Sequence, residues 1–137
     1  MCYDLDARPP IPPIAGGAAE GEDIVLTAKD GNRFSAYIAR AGEASGAQVL
    51  IYPDVRGLHQ FYKELALRFA AIGIGALAMD YFGRTAGIGA RDETFEFRPH
   101  VKQMQMPTFL ADVAAGLEYL RGTSGPERAT FIVGFCR

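Results

Sequence analysis

The apolar positions of this chain fall into strand-like runs and helix-like stripes, separated by clusters of Gly, Pro and charge. Residues 23–28 and 33–40 read as two strands, and Lys29-Asp30-Gly31-Asn32 between them is a tight hairpin connection, because Asp-Gly favours positive-φ turns. Gln48-Val49-Leu50-Ile51-Tyr52 is nearly continuous in apolar residues, as strands covered on both faces are. Over residues 59–72 the rhythm changes: Phe61, Leu65, Phe69 and Ile72 form a helical stripe, and Gly73 ends it. Residues 74–79 are a further buried strand closed by Asp80. Thr108 can cap a second helix, with Phe109, Val113, Leu117 and Leu120 on one face and Gly122 past its end. Residues 129–133 are a third apolar strand, with Phe131, Ile132 and Val133 read as buried.

A hairpin followed by alternating strands and helices predicts an α/β fold with a mostly parallel sheet and helices on both faces. Residues 8–17, RPPIPPIAGG, predict an extended Pro- and Gly-rich arm spanning residues 1–22, ahead of one domain over 23–137. Residues 84–107 have no sustained periodicity, and loops of that length are commonly lids or disordered. Chemistry in such sheets gathers at the carboxyl ends of the strands. Three loops are expected there: residues 53–59, 80–87 and 134–137.

Composition narrows the function classes. With 49% hydrophobic and 22% charged residues, a net charge of -2 and no block of like charge, the chain is ordinary globular material without a nucleic-acid or membrane-surface signature. No apolar stretch approaches the roughly 20 residues of a membrane span. MCYDLDARPPIPPIAGG carries Asp4, Asp6 and Arg8 and no apolar core, so it is no secretory signal. A cytoplasmic protein is expected. Cys2 and Cys136 lie at opposite ends of the chain, and without an export signal reduced thiols are expected rather than a bridge.

Gly134-Phe135-Cys136 after the last strand reads as a sharp turn presenting a nucleophile. A Gly-x-nucleophile-x-Gly turn strains its middle residue, so small neighbours are required, and the next helix N-terminus favours a thiolate. Only the first glycine is present here. On these three residues alone, an inert cysteine at a strand end is the stronger reading. Acyl transfer also needs oxyanion donors, one of them from the loop after an earlier strand. Pro53-Asp54-Val55-Arg56-Gly57 is such a loop, and also an ordinary strand-to-helix connection. Arg84 and Arg56 are the candidate contacts to an anionic substrate; for Arg84 on its own a solvated loop position is the stronger reading.

The ordered set QVLIYPDVRGL, ALAMDYFGRTAG and FIVGFCR resembles the dienelactone hydrolase family of α/β-hydrolases over nearly the whole chain from about Asp23. The resemblance implies hydrolysis of a carboxylic ester or lactone, an anionic one if the candidate arginines bind it, by a Cys-His-Asp triad; no metal or cofactor is implied. Cys136 matches the nucleophile, and the amides of Val55 and Arg137 match the oxyanion donors. Asp54 stands where better-known members have a Glu that contacts the thiol, one methylene shorter, and Arg84 falls near an Arg that binds substrate carboxylate.

In that fold the acid and histidine follow the nucleophile. His59 and His100 both precede Cys136, so neither is assigned as the base. His59 is expected to be a capping or loop residue, and His100 to be exposed. The chain is accordingly expected to be the front part of a larger enzyme, leaving its last strand as an open edge with apolar surface exposed. The rival reading is a non-catalytic α/β domain with an inert Cys136. Gly73-x-Gly75-x-x-Ala78 imitates a dinucleotide fingerprint, but it follows a helix and precedes a strand, the reverse of the required order. The two histidines and the scattered carboxylates show no metal-ligand spacing on one element, and Asp92-Glu93 is read as a solvated charge pair.

Overall fold

The computed structural model describes residues 2–11, 18–124 and 127–136. Five strands form one sheet in the order β1-β2-β4-β3-β5: β1 (Ala19–Thr27), β2 (Arg33–Ala41), β3 (Ala47–Tyr52), β4 (Gly75–Met79) and β5 (Ala129–Gly134). β3 pairs in parallel with β4 and β5, whereas β1–β2 and β2–β4 are antiparallel. The sheet is therefore mixed, because the leading hairpin joins it through β2 instead of standing apart. The hairpin turn falls where Asp30-Gly31 placed it: Gly31 adopts φ 89°, and the Ala28 N–H reaches the Asn32 carbonyl at 2.8 Å. β1 begins at Ala19, four residues before the pattern suggested, and Glu22 holds Arg40 across the pair at 2.9 Å.

Two helices cover opposite faces. α1 (Gln60–Ala71) lays Phe61, Tyr62, Leu65, Ala66 and Ala70 against Val49, Ile51, Ala76 and Ala78. On the other face Leu50, Leu77 and Met79 meet Val113 and Leu120 of the last helix (Met106–Ser124). Successive residues of β3 and β4 thus point alternately into two cores, which is why both strands read as unbroken apolar runs. Burying each of the larger of these side chains, Val49, Leu50, Ile51, Phe61, Leu77 and Met79 among them, stabilises by roughly 1.5–3 kcal/mol. Gly116 lets the last helix close on the sheet, since a Cβ there would already touch Leu50 and Leu77 at 3.4 Å.

Between β4 and that helix, the expected featureless loop contains two short helices, α2 (Gly83–Ala86) and α3 (Arg98–Gln103). In chain order the last helix is then α4. It starts at Met106, ahead of the expected cap: the Thr108 hydroxyl donates to the Gln105 carbonyl, and Gly122 lies inside the helix. β5 differs most from its reading as a buried strand. Among the described residues it pairs with β3 alone, and Phe131 and Ile132 are 59% and 53% exposed. Among the described residues no helix is long and apolar enough to cross a membrane.

Candidate active site at the carboxyl edge of the sheet

The parallel strands β3, β4 and β5 end on one edge, and their loops are tied together there. Tyr81, after β4, donates its hydroxyl to the Pro53 carbonyl at 2.6 Å, and the Phe135 N–H, after β5, reaches the Tyr52 carbonyl at 3.1 Å.

Asp80 is the central tie between the first two loops. It is fully buried; Oδ1 accepts the Leu58 N–H at 3.0 Å and Oδ2 accepts the Phe82 N–H at 3.1 Å. A buried carboxylate requires a counter-charge. Arg91 supplies it through Nη2 at 2.9 Å and Nε at 3.2 Å, while donating to the Gly87 carbonyl and lying over the Phe95 ring. Sequence reasoning missed this pair. An acid closing a wholly apolar strand signals the need for a partner, but nothing local identifies Arg91.

Asp54, also fully buried, shapes the loop after β3. Residues 54–57 form a turn closed by the Gly57 N–H on the Asp54 carbonyl at 3.0 Å, with Gly57 at φ 85°. Val55 occupies the second position of this turn, whose amide has no partner within the turn itself. Asp54 Oδ1 accepts the Arg56 N–H at 2.9 Å, and Oδ2 accepts the Tyr3 N–H at 3.0 Å and the Tyr62 hydroxyl at 2.6 Å. His59 Nε2 stands 3.5 Å from the same oxygen, within reach of its charge but outside good hydrogen-bond geometry. Burial by itself would raise the Asp54 carboxyl; the contacts from His59, Tyr62, Tyr3 and Arg56 outweigh it and hold it at about 2. The same burial, with the carboxylate beside it, pushes the Tyr62 phenol far up. Asp54 is thus occupied by three protein donors, whereas the Cys136 sulfur has a different neighbour.

That neighbour is Cys2. Cys136 follows β5 with φ 36°, a left-handed conformation uncommon for a residue with a side chain. Its Sγ lies 3.2 Å from Cys2 Sγ, which donates to it; both cysteines are free thiols. The hydrogen bond from Cys2 draws the Cys136 thiol downward, while burial and then that same bond push Cys2 upward. The arm that carries Cys2 is not wholly detached, as its composition suggested. Tyr3 stacks on Phe61 with centroids 3.9 Å apart and meets Phe135 edge-on at 5.9 Å, and Ala7 also packs against the α1 core.

The other expected residues are placed as follows. Arg56 donates from Nη1 to the Tyr3 carbonyl at 2.8 Å and to Asp4 at 3.2 Å, holding the arm. Arg84 is clamped by Asp30 and Asp112 and donates to the Thr108 carbonyl, so its charge already has two carboxylate partners; Asp30 above all draws it further into its protonated form. His59 occupies the N-cap position of α1 without capping it through its side chain, and it is buried. His100 is half-buried rather than exposed, its ring stacked on Phe95 at 5.2 Å. Arg137 lies outside the described residues. Asp92 and Glu93 are exposed, and among the described residues no cluster of His, Cys, Asp or Glu could hold a metal ion. A groove of about 570 Å³ opens between β1, the start of α1 and residues 88–93, with His59, Lys63, Asp80 and Arg91 in its wall. Cys136 is not part of that wall, so the groove is no guide to the chemistry proposed at the thiol.

A five-stranded mixed sheet in this order, with helices on both faces and its loops gathered at one edge, defines an α/β-hydrolase-type fold. The dienelactone hydrolase family profile matches residues 34–137, and the chain belongs to that family. It is 22% identical over 120 residues to carboxymethylenebutenolidase 1 of Cupriavidus pinatubonensis, an alignment covering 84% of this chain and 51% of that protein. Among solved structures, a candidate dienelactone hydrolase from Klebsiella pneumoniae shares the fold at a TM-score of 0.72 and 23% identity, over 87% of this chain and 50% of that one. A dienelactone hydrolase-like promiscuous phosphotriesterase from metagenomic libraries matches at a TM-score of 0.60 and 25% identity, over 88% and 50%. The chain spans about half the length of these relatives.

Proposed function

We propose that the protein cleaves a carboxylic ester or lactone through a thioester on Cys136. The observation that carries this reading is the left-handed backbone of Cys136 at the tip of β5, on the edge where the Asp54–Gly57 turn also lies. Strain of that kind persists where surrounding structure holds it, and it is the geometry a nucleophile turn demands. The Cys136 thiolate attacks the carbonyl carbon; the S–C bond forms and the carbonyl oxygen becomes an oxyanion. The amides of Val55 and Arg137 receive that charge. Collapse breaks the ester C–O bond; the alkoxide takes a proton from water and leaves as the alcohol, or stays attached as the opened lactone, and the acyl group remains on sulfur.

Asp54 serves the loop more than the sulfur: by fixing the amides of Arg56 and Tyr3 it keeps the turn in the shape that aims Val55. Arg56 belongs to the Asp54–Gly57 turn itself, where its side chain engages the Tyr3 carbonyl. An anion-binding role for Arg84 requires one of its two carboxylates to release it. Neither histidine is assigned as the base that hydrolyses the thioester, since His59 faces Asp54 and His100 stacks on Phe95. Acylation is therefore the step to test. Rapid quenching with p-nitrophenyl acetate, followed by intact-mass and peptide analysis, should find one acetyl group on Cys136. Absence of acetyl from Cys136, or equal acetylation in Cys136→Ala, overturns the reading.

A further inference from the structure

We propose that Cys2 is a resolving thiol for Cys136, so that mild oxidation closes a reversible disulfide over the nucleophile. The proposal rests on the reading of Cys136 as the reactive sulfur and adds a regulatory partner to it. The two sulfurs are 134 positions apart in sequence yet 3.2 Å apart in space. Forming a bond requires them to approach by only about 1.2 Å, to the ~2.05 Å of a disulfide.

Chance contact of a loose arm does not account for the placement, because three anchors hold the residue next to Cys2. The Tyr3 N–H is fixed on Asp54, its carbonyl on Arg56, and its ring on Phe61. All three belong to the oxyanion loop or to α1, so the arm is registered against the same edge that presents Cys136. Tyr3 also meets Phe135, the residue preceding the nucleophile. Cys2 is exposed and Cys136 half-buried, so a small oxidant can reach the pair.

The chemistry balances with a peroxide as oxidant. The Cys136 thiolate attacks one peroxide oxygen; the S–O bond forms, the O–O bond breaks, and hydroxide leaves to take a proton from solvent. The resulting sulfenic acid meets Cys2, whose sulfur forms the S–S bond as the S–OH bond breaks; the departing hydroxide takes the Cys2 proton and leaves as water. Two thiols and one peroxide give one disulfide and two waters, and a dithiol reductant restores both thiols. Without a second thiol at hand, a second peroxide delivers one oxygen to the sulfenic acid and leaves as water, giving the sulfinic acid, which thiols do not reverse. The arm would thus protect the nucleophile while silencing it.

The test treats the purified protein with a several-fold excess of hydrogen peroxide over thiol. The expected product has lost two hydrogens, yields a linked Cys2–Cys136 peptide within one chain, resists iodoacetamide at Cys136, and recovers on dithiothreitol. In Cys2→Ser, Cys136 should advance to sulfinic acid and stay unlabelled after dithiothreitol. In Tyr3→Ala, which removes the ring contacts with Phe61 and Phe135 but keeps both thiols and the backbone anchors, bridging should slow several-fold as the effective concentration of Cys2 falls. Equal sulfinic acid formation in the unaltered protein and Cys2→Ser, or Cys136 linked only between chains, overturns the proposal. An unchanged bridging rate in Tyr3→Ala overturns the role of the Tyr3 ring in positioning Cys2. Acetyl trapping is read separately: bridging without acetylation leaves the redox pair standing and removes the hydrolase reading, and acetylation without bridging does the reverse.

Discussion

The Tyr62 hydroxyl donates to Asp54 Oδ2 at 2.6 Å, with both residues fully buried, and so α1 is fastened to the loop that carries Val55. Removing the hydroxyl leaves a buried carboxylate with one donor fewer, which costs about 1.5–3 kcal/mol for a bond to a charged group. Tyr62→Phe should lower the urea midpoint by a corresponding amount at unchanged m-value, and should slow acylation of Cys136 by loosening the turn.

The same carboxylate sets an acid limit. Its folded value, about 2, lies below its ordinary 3.8, so its contribution is complete above about pH 4 and is lost as pH falls towards 2. That difference corresponds to roughly 2 kcal/mol. Asp54→Asn should therefore be less stable than the unaltered protein at pH 6, with the gap narrowing by about that amount at pH 2, as followed by urea unfolding at each pH.

Gly57 is fixed by geometry. Its φ is 85°, and a Cβ there would stand 2.7 Å from Asp80 Oδ1 and 3.1 Å from both Arg91 and Phe82. Gly57→Ala should destabilise by about 1–3 kcal/mol and depress acylation further than stability alone explains. Calorimetry together with the quench assay separates the two effects.

Arg84 and Arg91 each neutralise a buried aspartate, Asp112 and Asp80 respectively. Leaving such a charge unpaired typically costs 3–5 kcal/mol. Arg91→Met should show roughly that loss, and Asp80→Asn/Arg91→Met should recover part of it, because no charge is then stranded. Arg84→Met should behave similarly with respect to Asp112, whether or not substrate affinity changes. Purely additive effects in the Asp80/Arg91 cycle would contradict the pairing.

The sequence made some parts of this molecule legible and left others hidden, for identifiable reasons. β3, β4 and α1 were readable because each faces a core whose periodicity is written into Val49–Leu50–Ile51, Ala76–Leu77–Ala78 and the Phe61–Leu65 stripe. The start of β1 was not, since Ala19-Glu20-Gly21-Glu22 at a sheet edge is mostly solvated and gives no alternation. α2 and α3 are too short to show a period. The position of Cys136 after a strand was legible from Gly134 and the apolar run before it. Its partner Cys2, the Tyr3 anchor and the Asp80–Arg91 pair were not, because they join residues whose proximity exists only in three dimensions.

The central claim is that Cys136 is an activated thiol and Cys2 is not. The most direct measurement is the rate of iodoacetamide labelling at each cysteine as a function of pH, read by peptide mass spectrometry under reducing conditions. The account predicts fast, selective labelling of Cys136 near neutrality, with its inflection below the ordinary thiol range and that of Cys2 above it. Slow labelling of both cysteines at the same rate, rising together only at alkaline pH, would contradict it.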